Sequence, residues 1–162
     1  LVRVGFGTDS HRFEEKEERP LILGSVKLSD TGGLAADSDG DVILHAVFNA
    51  VSQACGGESL GYYADPLYKK GITDSTEYLK IAIDMVERLG YRIGNIGIMV
   101  EAYRPRLAMA DIGRIKTAIA GLLSISVRDV GMTFTSGEGL TSFGRGKGIL
   151  VQSVVTLLRR EG

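Results

Sequence analysis

Apolar residues at Leu44, Val47, Phe48 and Val51 recur at three- and four-residue intervals, the spacing of one helix face. The pattern predicts a helix over about 39–55. Ser38 stands as its N-cap, and Asp41, three residues on, completes a capping-box pattern. A second helix is predicted to begin at Asp74 or Ser75, with Tyr78, Leu79, Ile81, Ala82, Met85 and Leu89 on its apolar side and Gly90 just past its end. A third is predicted over about 107–123. Between the first two, residues 56–73 mix Gly, Tyr, Asp and Pro without a period and read as a long loop. Runs rich in Ile, Val and Tyr predict strands at 3–6, 91–103, 130–135 and 149–158, with extended stretches at 21–24 and 26–28. Residues 14–19 read as a charged, solvated loop, 29–38 as a Gly/Asp/Ser loop, and 136–148 as a glycine loop. Strands and helices are mixed, with no repeat and no linker. The expected fold is therefore α+β, one domain over 1–162, a mixed sheet with helices packed on one face.

A chain of 162 residues is long enough to bury a real core. Apolar content of 44% against 24% charged reads as soluble and globular. The formal net charge of -1 offers no basic footprint, so a nucleic acid partner is not expected. No apolar run reaches the length that spans a bilayer, so no membrane partner is expected either. The first residues lack a charged region followed by an apolar stretch, so no signal peptide is expected and the location is read as cytoplasmic. Cys55 is the single cysteine. It sits in the helical apolar pattern and reads as a small core residue in a reducing compartment.

The chemistry concentrates in three places. Only two histidines occur, and each lies among carboxylates: His11 in Gly7-Thr8-Asp9-Ser10-His11, and His45 after Asp37-Ser38-Asp39-Gly40-Asp41. Taken alone, each would read as an ordinary surface or core histidine. Together, Asp9, His11 and His45 could supply three ligands to zinc and leave a fourth position for a substrate oxygen. Asp9 and His11 are two apart, so in an extended segment they point to the same side. Asp39 and Asp41 could orient an imidazole N–H, or simply balance a helix N-terminus. The second place is Thr133 to Leu140 followed by Gly144-Arg145-Gly146-Lys147-Gly148. Hydroxyls, a carboxylate, free N–H groups and an arginine there suit a phosphate chain with Mg²⁺, or else form a decorated glycine hairpin. The third is Ala102-Tyr103-Arg104-Pro105-Arg106-Leu107, which puts cations beside a helix start, an anion site or a solvated turn.

With these segments in order, the chain resembles the 2-C-methyl-D-erythritol 2,4-cyclodiphosphate synthase family over essentially its whole length. The resemblance rests on Arg3 to His11, Ser38 to His45 and Gly144 to Ile149, with Tyr91-Arg92-Ile93-Gly94-Asn95-Ile96 as a further match. It implies a homotrimer with active sites at subunit boundaries. Zn²⁺ is implied on Asp9, His11 and His45, and Mg²⁺ or Mn²⁺ on Glu138, bridging the two phosphates of a cytidine diphosphate unit. The cytosine and ribose-phosphate pocket maps onto Ala102, Arg104, Arg106, Leu107 and Ala108, and onto Phe134, Thr135 and Ser136. The methylerythritol end maps onto Ser59, Gly61 and Asp65, with Asp9, His11, Asp37 and Ser38 beside it. Phe143 stands next to the Gly-Arg-Gly run, where Arg145 would reach phosphate or the trimer axis.

Several positions depart from the family pattern. The histidine usually found before Ser-Asp-Gly-Asp, which helps stabilise the phosphate transition state, is Asp37 here. A carboxylate there repels phosphate unless it is protonated or turned away. Thr-Thr becomes Thr135-Ser136, which keeps the hydroxyl, and Asp-Ile-Gly becomes Ser59-Leu60-Gly61. Gly-Phe before Gly-Arg-Gly is rearranged to Ser142-Phe143, and 61–74 aligns only with gaps. The implied catalytic positions are Asp37 and Ser136. The implied reaction is intramolecular: the 2-phosphate of 4-diphosphocytidyl-2-C-methyl-D-erythritol 2-phosphate attacks the β-phosphorus, and CMP leaves. Two rivals remain open at this point, a metal-dependent phosphohydrolase and a non-catalytic trimeric binder of nucleotide or isoprenoid diphosphate.

Overall fold

The computed structural model describes residues 1–16 and 18–161. Glu17, inside the charged segment predicted at 14–19, and Gly162, the last residue of the predicted domain, lie outside the described residues.

Strand β1 spans Val2–Arg12, well beyond the predicted 3–6. Gly7-Thr8-Asp9 continues the strand instead of turning out of it, because every residue of β1 pairs antiparallel with β6 (Gly148–Arg159). On its other side β6 pairs antiparallel with β4 (Tyr91–Glu101), and β4 pairs in parallel with β5 (Val130–Thr135). The order β1-β6-β4-β5 makes the sheet mixed, as expected. Strands β2 (Leu21–Leu23) and β3 (Val26–Ser29) form a separate hairpin. Its turn residues Gly24 and Ser25 take φ of 59° and 62°, the left-handed pair that matches strand twist in a tight hairpin.

Helix α1 spans Val42–Ala54 and packs on β1 and β6, with eleven of its thirteen residues buried. It is therefore covered nearly all round, not on a single stripe. Its backbone lies directly on β1: a Cβ built on Gly7 would come within 2.2 Å of Ala46 O, and one on Gly5 within 2.0 Å of Ala50 O. Only glycine permits that approach. The N-cap is Asp41, not Ser38, and Asp41 Oδ1 accepts the Leu44 N–H at 3.0 Å. Gly40, with φ of 77°, holds the chain out of helix until then.

Residues 56–73 are not one loop, since they contain α2 (Leu60–Tyr68). Ala64 is its one buried residue, so no apolar period marks it in the sequence. Helix α3 (Ser75–Arg88) starts where predicted, with Asp74 Oδ1 accepting the Thr76 N–H at 2.8 Å. Helix α4 (Met109–Leu123) begins two residues later than predicted, and β4 ends two residues earlier. The predicted loop 136–148 contains a 3₁₀ turn at Gly137–Gly139.

Phe48, Leu79, Ile96, Ile115, Ile119, Val151 and Leu157 form the core between the sheet and the helices. On β6 the buried Val151, Val155 and Leu157 alternate with Val154, which is exposed on the opposite face beside Phe6 and Val4 of β1. The helices thus cover one face and leave an apolar patch on the other.

Candidate functional site

Asp9 and His11 project from one side of β1, and α1 brings His45 to them from its second turn. Three atoms converge. His11 Nε2 lies 2.9 Å and His45 Nδ1 3.0 Å from Asp9 Oδ2, and the two nitrogens are 3.2 Å apart. Among the described residues this is the one group of His, Cys, Asp and Glu side chains placed to share a metal ion. The donor set fits a divalent cation. His11 Nδ1 lies 2.9 Å from Ala35 O, a carbonyl that can only accept, so Nδ1 carries the hydrogen. That leaves the Nε2 lone pair directed at the point where the three residues meet.

Burial works to raise the Asp9 carboxyl, but hydrogen bonds and charge from His11 and His45 outweigh it and hold the carboxyl well below its ordinary value. His11 is raised by its hydrogen bond to Asp9, against the opposing effect of burial.

A cavity of about 350 Å³ opens from this point. Asp9, His11, Asp37, Ser38, His45, Ser59, Gly61 and Asp65 all line it, so one half of the predicted site is assembled in a single place. Leu60, inside the predicted segment 59–61, lines it as well, and sequence reasoning missed Asn49, Tyr68 and Tyr78, which line it too. Asn49 is four residues after His45 on the same helical face, a spacing that could have revealed it. Its Oδ1 accepts the Leu60 N–H at 2.9 Å and its Nδ2 donates to Thr8 O at 3.2 Å, so it ties the start of α2 to β1.

Neither Asp39 nor Asp41 meets an imidazole nitrogen directly. Asp41 is fully buried and accepts N–H groups from Gly24, Ser25 and Leu44. Asp39 accepts the Ser75 and Asp41 N–H groups. Arg19, read as part of a solvated loop, donates to the carbonyls of Ala36 and Ser38 on either side of Asp37. With Asp37 it lines a neighbouring cavity.

The other predicted half forms a second cavity of about 250 Å³. Ala102, Arg106, Leu107, Phe134, Thr135 and Ser136 line it, with Leu23, Val100, Ile112 and Ile149 giving it an apolar floor. Five predicted residues fall outside it. The Arg104 guanidinium stacks on the Phe13 ring at 4.1 Å from the centroid. Ala108 caps α4 at the surface. Phe143 O accepts the Tyr103 and Gly146 N–H groups. Arg145 donates to Gly139 O and Leu140 O of its own loop, at 3.2 Å each. Glu138 is exposed, with φ of 48°, and accepts from Ser136 Oγ at 3.2 Å. No residue lines both cavities, and Glu138 does not join Asp9, His11 and His45 within one chain.

The model of the YgbB family matches residues 2–158. A curated 2-C-methyl-D-erythritol 2,4-cyclodiphosphate synthase from Chlamydia muridarum is 42% identical over 160 residues, covering 98% of this chain and 89% of its own length. Its counterpart from Chlamydia felis is 40% identical over 160 residues, covering 98% and 90%. Among solved structures, the bifunctional IspDF of Campylobacter jejuni superposes with a TM-score of 0.89 at 34% identity, over 99% of this chain but 43% of its own. This chain therefore spans less than half of that protein. The CDP complex of Plasmodium falciparum IspF superposes with a TM-score of 0.82 at 27% identity, over 99% and 97%.

Proposed function

The chain belongs to the YgbB family, and from that membership we propose that it converts 4-diphosphocytidyl-2-C-methyl-D-erythritol 2-phosphate into 2-C-methyl-D-erythritol 2,4-cyclodiphosphate, releasing CMP. It thereby acts as a phosphorus–oxygen lyase in non-mevalonate isoprenoid synthesis. The observation that carries this reading is the meeting of Asp9, His11 and His45 at one point on the wall of a cavity.

The nucleophile, a phosphate oxygen, is already anionic near neutral pH, and CMP departs as a phosphate. The reaction therefore demands no general base, in keeping with a chain whose two histidines both face Asp9. What the protein must supply is in-line placement of the two phosphates and compensation of their charge. When bound, Zn²⁺ at Asp9, His11 and His45 and Mg²⁺ or Mn²⁺ at Glu138 would polarise and neutralise phosphate oxygens.

The remaining roles belong to the chain itself. The apolar slot between Phe134 and Leu107 holds the cytosine, with Arg106 facing the ribose phosphate. Ser136 Oγ and the N–H groups of its loop donate to oxygens that gain charge. Ser59, Gly61 and Asp65 hold the methylerythritol hydroxyls. Asp37 accepts from a substrate hydroxyl, since facing phosphate it would repel it.

The two cavities are separate in one chain, and this supports a homotrimer in which the nucleotide slot of one copy meets the metal-binding cavity of the next. The apolar patch of Val4, Phe6 and Val154 is the surface available for that assembly. The reading is of a single-domain cytoplasmic enzyme without nucleic acid or membrane partners. No helix among the described residues is long and apolar enough to cross a membrane.

The test is incubation of the purified protein with the diphosphocytidyl substrate and Mg²⁺, followed by chromatography. CMP with the cyclic product is expected. Release of inorganic phosphate would point to a phosphohydrolase, and CDP binding without turnover to a binding protein.

A further inference from the structure

His45 turns one ring nitrogen toward Asp9 and His11 and the other, Nε2, toward the protein interior. There Nε2 meets two hydroxyls, Ser75 Oγ at 2.9 Å and Ser38 Oγ at 3.1 Å. Ser75 is the first residue of α3, buried and thirty positions along the chain from His45. Its hydroxyl also contacts Asp39 Oδ1, while its backbone N–H donates to Asp39 Oδ2 at 2.9 Å. Asp39 Oδ1 accepts the Asp41 N–H at 3.0 Å as well.

Counting hydrogens along this chain leaves one arrangement. A carboxylate can only accept, so the Ser75 hydroxyl hydrogen points at Asp39. Ser75 Oγ therefore presents a lone pair to His45, and Nε2 must carry the hydrogen. Ser38 Oγ accepts the Gly40 N–H at 3.2 Å and offers the same nitrogen a second acceptor. Nδ1 is then left with its lone pair directed at Asp9 and His11. This is the polarity that His11 reaches by a different route, through Ala35 O.

We propose that Asp39 and Ser75 are positioning residues for the metal site: Asp39 orients the Ser75 hydroxyl, and Ser75 fixes the tautomer and tilt of the His45 ring. The inference rests on the metal reading for the identity of the ion. The sequence offers Asp39 as a partner for an imidazole N–H; the relay through Ser75, brought in by another helix, is visible only in the fold. It also couples α3 to the site, because the same carboxylate that orients the hydroxyl holds the first N–H of that helix.

The test uses Zn²⁺ alone, titrated against a chromophoric chelator, on the wild type and on Ser75→Ala, Ser75→Thr and Asp39→Asn. Loss of such an outer partner typically costs about 10–100-fold in metal affinity. That loss is expected for Ser75→Ala and Asp39→Asn, with Ser75→Thr, which keeps the hydroxyl, close to wild type. Thermal unfolding in chelator separates this effect from a general loss of folding, and Asp39→Asn keeps the question answerable if Ser75→Ala does not fold. In the zinc-loaded wild type, nitrogen-15 spectra should place the remaining ring hydrogen of His45 on Nε2. Wild-type zinc affinity in folded Ser75→Ala and Asp39→Asn would overturn the relay while leaving the metal reading intact, whereas a hydrogen on Nδ1 in the zinc-loaded protein would overturn both, because that nitrogen could not then ligate the ion. A wild type that binds no zinc would overturn both.

Discussion

Asp41 reaches back seventeen positions to Gly24: its Oδ1 accepts the Gly24 N–H at 2.8 Å, fully out of solvent. The same carboxylate accepts Ser25 N at 2.6 Å and Leu44 N at 3.0 Å, so one side chain joins the β2–β3 turn to the start of α1. Asp41→Ala removes the cap, worth about 1 kcal/mol. It also leaves buried N–H groups without an acceptor, at about 1–3 kcal/mol each. Urea unfolding should therefore lose several kcal/mol, and a loss within the noise of a surface substitution would contradict this joint.

The same residue sets a pH dependence. Burial pushes the Asp41 carboxyl up to about 6, against the pull of its three N–H donors. An unfolded chain releases that proton near 3.8, so between 3.8 and about 6 the folded state binds more protons than the unfolded one. The contribution to stability is greatest below 3.8, declines as pH rises through this window and is flat above it. Urea midpoints from pH 4 to 7 should show the wild type losing stability relative to Asp41→Asn, which lacks the titrating group. Parallel curves would exclude it.

Gly7 holds α1 against the sheet. In Gly7→Ala the new methyl group would sit within 2.3 Å of Ala50 N and 2.2 Å of Ala46 O, and backbone cannot yield as a side-chain tip does. Displacing α1 also moves His45 away from Asp9 and His11. Both stability and zinc affinity should fall. Gly113→Ala, in α4 with nothing within 4 Å of the new atom, should gain up to about 1 kcal/mol from helix propensity. Equal effects of the two substitutions would refute the packing argument.

Zinc binding should be coupled to protons. Asp9 is held in its charged form, while its hydrogen bond keeps the proton on His11 above the ordinary 6.5. The ion must displace that proton, so affinity should climb with pH from 6 to 8 in chelator competition. His45→Ala should remove zinc and nearly all turnover while the assembly survives. An equally active, zinc-free variant would sink the metal reading.

Phe6 and Val154 face each other across β1 and β6, and both are close to half exposed. A contiguous apolar patch of this kind marks a contact surface. If the proposed trimer assembles through this face, Val154→Asp should shift sedimentation from trimer to monomer. It should also abolish turnover while leaving zinc bound, since only the nucleotide cavity of a neighbouring copy is lost.

How far the chain could be read depended on whether a feature was local. The strand at 130–135 and the start of the helix at Ser75 follow from residues adjacent in sequence, and both lie where expected. Helix α2 was illegible because an exposed helix with one buried residue carries no apolar period. The cap at Asp41 was displaced because Gly40 and the contact to Gly24 decide where α1 can begin, and neither belongs to the capping pattern.

By itself the sequence determined the Asp9/His11/His45 trio, the segments that carry the two cavities and the mixed α+β plan. The trio and the plan rest on residue type, side-chain period and the order of motifs, and the cavity segments on the family resemblance. Only the tertiary structure decided that Ser75 stands behind His45, that Asn49 holds α2, and that the nucleotide-like slot and the metal-binding cavity are separate in one chain. Such contacts join residues eleven to forty-one positions apart, where no short-range period constrains them; backbone approach between α1 and β1 and the pairing of buried donors with acceptors do.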